Sequence, residues 1–497
     1  MADMVGHWID GVEVPGGSGV AADVFDPATG AVTRTVALAS PADVGAAVAS
    51  ASAALPGWRD TSLARRTQVL FRFRELLDAG RQELAEIITA EHGKVVSDAL
   101  GEVARGLEVV EFACGIAHLL KGGHTENASM RVDVHSLRQP LGVVAVISPF
   151  NFPAMVPLWF VPVAIAAGNA VVLKPSEKVP SAALFLARLW QAAGLPDGVF
   201  TVVQGDRTAV DALLDSPPVK AVSFVGSTPV ARHVHRRASA NGKRVQALGG
   251  AKNHMVVLPD ADLDLAADAA VNAGFGSAGE RCMAVSALVA VGPVADDLVA
   301  RIAHRTATLR TGDGRRGCDM GPLVTAAHRD RVAGYVAAGE AAGARVVVDG
   351  REVRPDADGA GFFLGPTVLD HVTTDMSVYT DEIFGPVLSV LRVDSFAEAV
   401  ALVNANPYGN GTALFTRDGA AARAFENEVE AGMVGINVAI PVPVSYYSFG
   451  GWKDSLFGDT HAHGTEGVHF FTRGKVVTTR WSASDAAGLE LGFPQNV

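Results

Sequence analysis

Leu, Ile, Val and Phe recur three to four residues apart among Arg and Glu through residues 62–118. That spacing gathers apolar side chains on one face of a helix, so the stretch is predicted helical. The pattern then shortens. Residues 141–147 form an apolar, β-branched run that reads as a buried strand, ended by Pro149-Phe150-Asn151-Phe152-Pro153. Residues 171–173 predict a second short strand before the turn Pro175-Ser176-Glu177, and 182–194 an amphipathic helix stopping at Gly194. Two further strands are expected at 200–203 and 221–225. From about residue 250 the alternation restarts, with a helix near 263–275, a strand near 286–291 and a helix near 295–308. Strands alternating with helices favour a parallel sheet covered by helices, so the expected fold class is α/β with two doubly wound, Rossmann-like domains. Residues 356–361 read as a surface loop, and the tail after Ser482 carries little pattern.

Composition narrows the class. The 497-residue chain is 49% hydrophobic and 19% charged, an ordinary globular balance with room for two or three domains. Its net charge of −12 argues against a nucleic-acid binder or a basic membrane-surface protein. The most apolar stretch, 152–168, is interrupted by Pro153, Pro157 and Pro162 and is too short to span a bilayer. Neither nucleic acid nor membrane is therefore an expected partner. Cys114, Cys282 and Cys318 are scattered, which fits a reducing compartment. The opening Met1-Ala2-Asp3-Met4 carries no secretory pattern, so a cytoplasmic location is expected. The histidines, among them His92, His233, His235, His254, His461 and His463, show no spacing such as HExxH, and no metal is expected.

Cys282 carries the strongest chemical signal. It lies in Phe275-Gly276-Ser277-Ala278-Gly279-Glu280-Arg281-Cys282-Met283, where two glycines permit a tight turn and leave room for a substrate. The preceding arginine favours a nucleophilic thiolate. A free cysteine is also a good small core residue, and the local sequence leaves both roles open. Cys114 falls in a helical apolar pattern and reads as core; Cys318 reads as incidental.

Five further segments accompany it: Ser148-Pro149-Phe150-Asn151-Phe152-Pro153, Gly168-Asn169-Ala170-Val171-Val172-Leu173-Lys174-Pro175-Ser176-Glu177, Phe224-Val225-Gly226-Ser227, Glu382-Ile383-Phe384-Gly385-Pro386 and Phe449-Gly450-Gly451-Trp452-Lys453. In this order and spacing they make the chain resemble the aldehyde dehydrogenase superfamily over nearly its whole length. The resemblance implies an NAD-binding domain (1–121 and 141–249), a catalytic domain carrying Cys282 (250–450) and a small oligomerisation β-arm (122–140 and 469–485). That arm implies a homodimer or homotetramer. Cys282 is then the nucleophile, with the Asn151 amide and the Cys282 backbone N–H as oxyanion donors. Phe150, Lys174, Glu177, Gly226, Ser227, Glu382 and Phe384 become the cofactor contacts. A carboxylate at Glu177 would repel a 2′-phosphate, which favours NAD. Without the resemblance, Asn151 reads as a turn residue between two prolines, and Lys174 and Glu177 as surface charges in a turn.

One departure is informative. Hydrolytic members of the family carry a water-activating glutamate in Glu-Leu-Gly-Gly-Lys. The corresponding stretch here is Gln246-Ala247-Leu248-Gly249-Gly250-Ala251-Lys252, which puts Ala247 at that position. No carboxylate lies between Asp215 and Asp260. With Gly279-Glu280-Arg281-Cys282-Met283-Ala284 and Gly101-Glu102-Val103-Ala104-Arg105-Gly106, the chain resembles the CoA-acylating methylmalonate-semialdehyde dehydrogenase branch. That implies oxidation of malonate or methylmalonate semialdehyde with decarboxylation to acetyl-CoA or propionyl-CoA. Arg105 and Arg281 would clamp the substrate carboxylate, since guanidinium binds it bidentately. Without the resemblance, Arg105 reads as an i,i+3 partner of Glu102 or Glu108 on a solvated face. A hydrolytic dehydrogenase for another semialdehyde remains the alternative.

Overall fold

The computed structural model describes residues 3–353, 355 and 360–481. The strands expected in the first half join one eight-stranded sheet. Its order is Leu456–Phe457, Arg244–Leu248, Val219–Val225, Val143–Ile147, Ala170–Lys174, Phe200–Val202, His7–Ile9, Val12–Val14. The five strands from Arg244–Leu248 to Phe200–Val202 run parallel, and the strands outside them pair antiparallel. Strand order reverses beside Val143–Ile147: successive strands lie to one side, and Val219–Val225 lies to the other. Doubly wound sheets bind ligands at the carboxyl ends of strands flanking such a reversal.

The second sheet has seven strands, in the order Arg345–Val348, Thr367–Asp370, Val387–Val393, Val285–Val291, Asn253–Val257, Gly411–Phe415, Met433–Ile436. All pair in parallel except Arg345–Val348. A third sheet pairs Thr472–Arg480 with Val132–Pro140, which also pairs with His124–Ser129. The strand-like run expected near the C-terminus is therefore present. Positions 482–485 of the expected arm, the tail and most of the loop at 356–361 lie outside the described residues.

Local chemistry explains the element boundaries. The helical stretch over 62–118 is three helices, Leu63–Ala79, Arg81–His92 and Val96–Cys114, followed by the turn Ile116–Leu119. Gly80 separates the first two, and Gly93, at φ 91°, ends the second in the left-handed conformation that glycine tolerates. The run at 152–168 holds a helix, Met155–Ala166, whose twelve residues are all buried. A helix apolar on every side belongs inside a large core, so this one sits between the sheet and the other helices. Among the described residues no helix is long and apolar enough to cross a membrane. Cys114 is buried at the end of its helix, and Cys318 sits half-buried in a loop with its sulfur on the Gly312 and Asp313 carbonyls.

Candidate active site

The chain reaches Cys282 through an unusual turn. Helix Leu263–Phe275 ends, and Ser277 (φ 50°, ψ 40°) and Ala278 (φ 53°, ψ 31°) enter the left-handed region. Gly279 follows at φ 72°; a Cβ there would sit 2.2 Å from the Gly385 carbonyl oxygen, so only glycine fits. Beyond the turn, the Cys282 carbonyl accepts from Asn253 Nδ2 (2.9 Å) and Asn410 Nδ2 (3.0 Å). Cys282 then stands between two spaces. One is a cavity of about 370 Å³ lined by Asp98, Arg105, Trp159, Arg281 and Phe449. The other is a narrow cleft lined by Ala251, Glu382 and Phe384.

Burial pushes the Cys282 thiol up to about 12, and Glu382 adds to the rise. Arg281 opposes it only weakly. Arg281 itself is paired, its Nη2 2.7 Å from Asp98 Oδ1.

Asn151 is buried, and its Nδ2 donates to the Glu280 carbonyl at 3.0 Å. An amide nitrogen has two N–H donors, so the second is available to an oxyanion. The Asn151 carbonyl accepts from Lys94 Nζ (2.5 Å), and Lys94 pairs with Glu102 (2.9 Å) with neither side chain exposed. Glu102 Oε1 also accepts from Ala154 N and Met155 N, satisfying the start of the buried helix. Lys94, Glu102, Asn253 and Asn410 escaped the reading from sequence. Lys94 lies in the short connection before the helix that carries Glu102, eight residues on, a separation with no local signature.

Phe150, Lys174, Glu177, Gly226 and Ser227 border the reversal in strand order, whereas Glu382 and Phe384 come from the loop before Val387–Val393 of the second sheet. Lys174 ends its strand, buried, with Nζ on the Gly205 carbonyl at 2.6 Å and 3.7 Å from Glu177. Burial lowers its pKa, and Glu177 opposes that shift. Gly226 follows Val219–Val225, and Ser227 stands at the N-terminus of helix Thr228–Ala240 without a side-chain cap bond. The backbone N–H groups there are free to face an anion. Ala231 is fully buried and seats the helix on the sheet. Phe150 and Phe384 meet edge to face with centroids 5.9 Å apart, and His328 Nε2 lies 2.7 Å from the Phe384 carbonyl. Glu382 accepts from Ala251 N at 3.0 Å, and burial raises its carboxyl to about 7. These groups fit a dinucleotide: a free helix N-terminus, a lysine–carboxylate pair at a strand end, and two rings beside a cleft that reaches Cys282.

Arg105 and Arg281 line the same cavity as Cys282, although neither guanidinium is unengaged. Arg105 Nη1 lies 2.9 Å from Glu108, the i,i+3 pair that the sequence left open. Both residues of that pair are about two-fifths exposed, so the contact is weak and exchangeable.

Ala247 is corrected in its orientation. It lies within strand Arg244–Leu248, opposite Phe224 and Phe457, and its methyl is buried with Ala231 and Val234. Successive strand residues face opposite ways. Leu248, not Ala247, joins the core of Val225, Met283 and Phe449 against which Cys282 packs. Neither position bears a carboxylate.

Fold and site together define an aldehyde dehydrogenase: the chain belongs to the aldehyde dehydrogenase family, which it matches over residues 14–477. Among its relatives, the malonate-semialdehyde dehydrogenase of Pseudomonas aeruginosa is 54% identical over 492 residues, 98% of this chain and 99% of that one. The methylmalonate-semialdehyde dehydrogenase structure from Oceanimonas doudoroffii is 52% identical with a TM-score of 0.96, covering 97% of this chain and 99% of that one. A Sinorhizobium meliloti 1021 protein, assigned as a methylmalonate-semialdehyde dehydrogenase and crystallised with NAD, is 51% identical with a TM-score of 0.96. That likeness covers 98% of this chain and 100% of the other.

Proposed function

We propose that this protein is a cytoplasmic, NAD-dependent, CoA-acylating dehydrogenase of malonate semialdehyde and its 2-methyl form. The observation that carries the reading is one cavity holding Cys282 together with Arg105 and Arg281. That shared lining supports Cys282 as the nucleophile for an aldehyde whose far end is a carboxylate. The names of the relatives at about half identity support the same substrate class.

The chain's residues divide the work. The Cys282 thiol gives up its proton to solvent, and the thiolate adds to the aldehyde carbon, moving the C=O π pair onto oxygen as a tetrahedral thiohemiacetal anion. The free Asn151 N–H and the Cys282 backbone N–H hold its oxyanion, a contribution of roughly 3–4 kcal/mol per donor. NAD, when bound, supplies the hydride acceptor. Phe150 and Phe384 would hold the nicotinamide end, Glu382 its ribose, Lys174 and Glu177 the adenosine ribose, and Gly226-Ser227 the pyrophosphate. Loss of hydride leaves a Cys282 thioester. Arg105 and Arg281 orient the β-carboxylate; it leaves as CO2, the electron pair of the broken C–C bond forms the thioester enolate, and that enolate takes a proton from solvent. CoA thiolate then attacks the thioester carbonyl and expels the Cys282 thiolate, giving acetyl-CoA or propionyl-CoA. We assign cofactor binding to 1–121 and 141–249, catalysis to 250–450, and subunit pairing in a homodimer or homotetramer to 122–140 and 469–485. Thr472–Arg480 supports the last assignment, because it is an edge strand with Val476 68% exposed.

One observation favours hydrolysis instead. Glu382, held near neutrality beside Cys282, has the pKa of a general base for water. NADH release with malonate semialdehyde separates the readings. We expect a burst near one NADH per site without CoA, then slow turnover, and fast turnover with acetyl-CoA as product once CoA is added. Equal steady rates with and without CoA, yielding a free acid, would overturn the acylating reading.

A further inference from the structure

The turn that delivers Cys282 resists its own conformation. Ser277 and Ala278 both carry a Cβ in the left-handed region, and Gly279 continues it. L-residues disfavour that region, and such strain persists only where the surroundings hold it. The hydrogen bonds show where it is held. Asp98 Oδ2 accepts from both Ser277 N and Ser277 Oγ, each at 3.0 Å. Asp98 Oδ1 accepts from Arg281 Nη2 at 2.7 Å. One carboxylate therefore grips the first residue of the turn and the residue just before the nucleophile. The Arg281 guanidinium folds over Gly276, where an added Cβ would lie 2.4 Å from its Nη1.

Asp98 is chemically suited to this task. It needs two acceptor oxygens, one for the serine and one for the guanidinium, and asparagine has only one. It sits in the first turn of helix Val96–Cys114, the helix that also carries Glu102 and Arg105. Glu102 holds the backbone that follows Asn151, and Arg105 reaches the substrate cavity. One rigid helix thus sets the positions of the oxyanion donor, the carboxylate clamp and the cysteine turn relative to each other.

We propose that Asp98 is a positioning residue: by bridging Ser277 and Arg281 it locks the left-handed turn and fixes where Cys282 presents its sulfur. It touches no reacting atom. The proposal rests on Cys282 being the nucleophile.

The test uses Asp98→Asn, Asp98→Ala and Ser277→Ala in the full chain. Three quantities are read: the NADH burst rate with malonate semialdehyde and with propanal, the rate of Cys282 alkylation by iodoacetamide, and the NAD Kd. In Asp98→Asn the burst slows about tenfold to a hundredfold with both aldehydes, the range for losing one charge-assisted contact. Cys282 alkylation shifts with it, and the NAD Kd stays within about twofold, as expected when only a transition-state arrangement is lost. Ser277→Ala gives a smaller loss of the same kind, and it decides the matter together with Asp98→Asn if Asp98→Ala fails to fold. A burst within about twofold of the parent on both aldehydes overturns the proposal. A loss confined to the carboxylate-bearing substrate also overturns it, because Asp98 would then serve Arg281 and not the turn. Cys282→Ser that still forms NADH is a different failure, that of the nucleophile assignment itself.

Discussion

Glu382 and Cys282 line the same narrow cleft, and the Glu382 carboxyl is, after burial, the strongest influence pushing the thiol up. Burial also raises Glu382 itself to about 7. The two groups are therefore linked through pH. Above neutrality Glu382 is an anion that disfavours the thiolate; below it the carboxyl is neutral and the coupling vanishes. In the enzyme without NAD, iodoacetamide should alkylate Cys282 several-fold faster in Glu382→Gln than in the parent at about pH 9, and equally fast at about pH 6. Identical rates at both values would show that the carboxyl does not act on the sulfur.

Glu177 sits 3.7 Å from Lys174, just past the end of strand Ala170–Lys174, where we propose the adenosine ribose binds. A 2′-phosphate placed on the ribose there would meet a carboxylate. NAD should exceed NADP in kcat/KM by about tenfold or more, the scale of one unfavourable charge contact in a partly buried site. Glu177→Gln should narrow the gap. Comparable efficiency with both cofactors in the parent would mean that Glu177 does not face the ribose.

Arg105 now rests on Glu108 at the rim of the cavity. Releasing an exposed partner costs little, so the guanidinium can turn to a substrate carboxylate. Arg105→Leu should lose about 2–5 kcal/mol of transition-state stabilisation on malonate semialdehyde and far less on propanal, as read from kcat/KM. Equal losses on both would assign Arg105 to the fold.

Ala247→Glu is a direct test of strand orientation. Counting along the sequence puts a carboxylate there next to the thioester. The structure puts it into a core whose members are almost entirely unexposed, among Phe224, Ala231 and Val234. An unpaired carboxylate in such a place costs several kcal/mol or drives protonation. The substitution should lower Tm by many degrees and leave CoA-independent turnover unchanged. A stable variant with faster CoA-independent turnover would contradict the side-chain direction described here.

The sequence alone determined the α/β class and the strands and helices of the first sheet, and its family resemblance singled out Cys282, Asn151, Lys174 and Glu382 as candidate site residues. These were legible because apolar periodicity and turn residues act locally, and because the chemistry-bearing segments keep a recognisable order along the chain. Tertiary structure decided the rest. It put Lys94 under Asn151, brought Asp98 onto a turn 179 residues away, and turned the cation beside Cys282 toward that aspartate. It also decided which face of the strand Arg244–Leu248 looks toward the thiol. Each of these depends on pairings between distant segments or on a one-residue alternation within a strand. A linear pattern shows which residues are present, while hydrogen-bond partners and burial, which set direction and charge state, exist only once the chain has closed on itself.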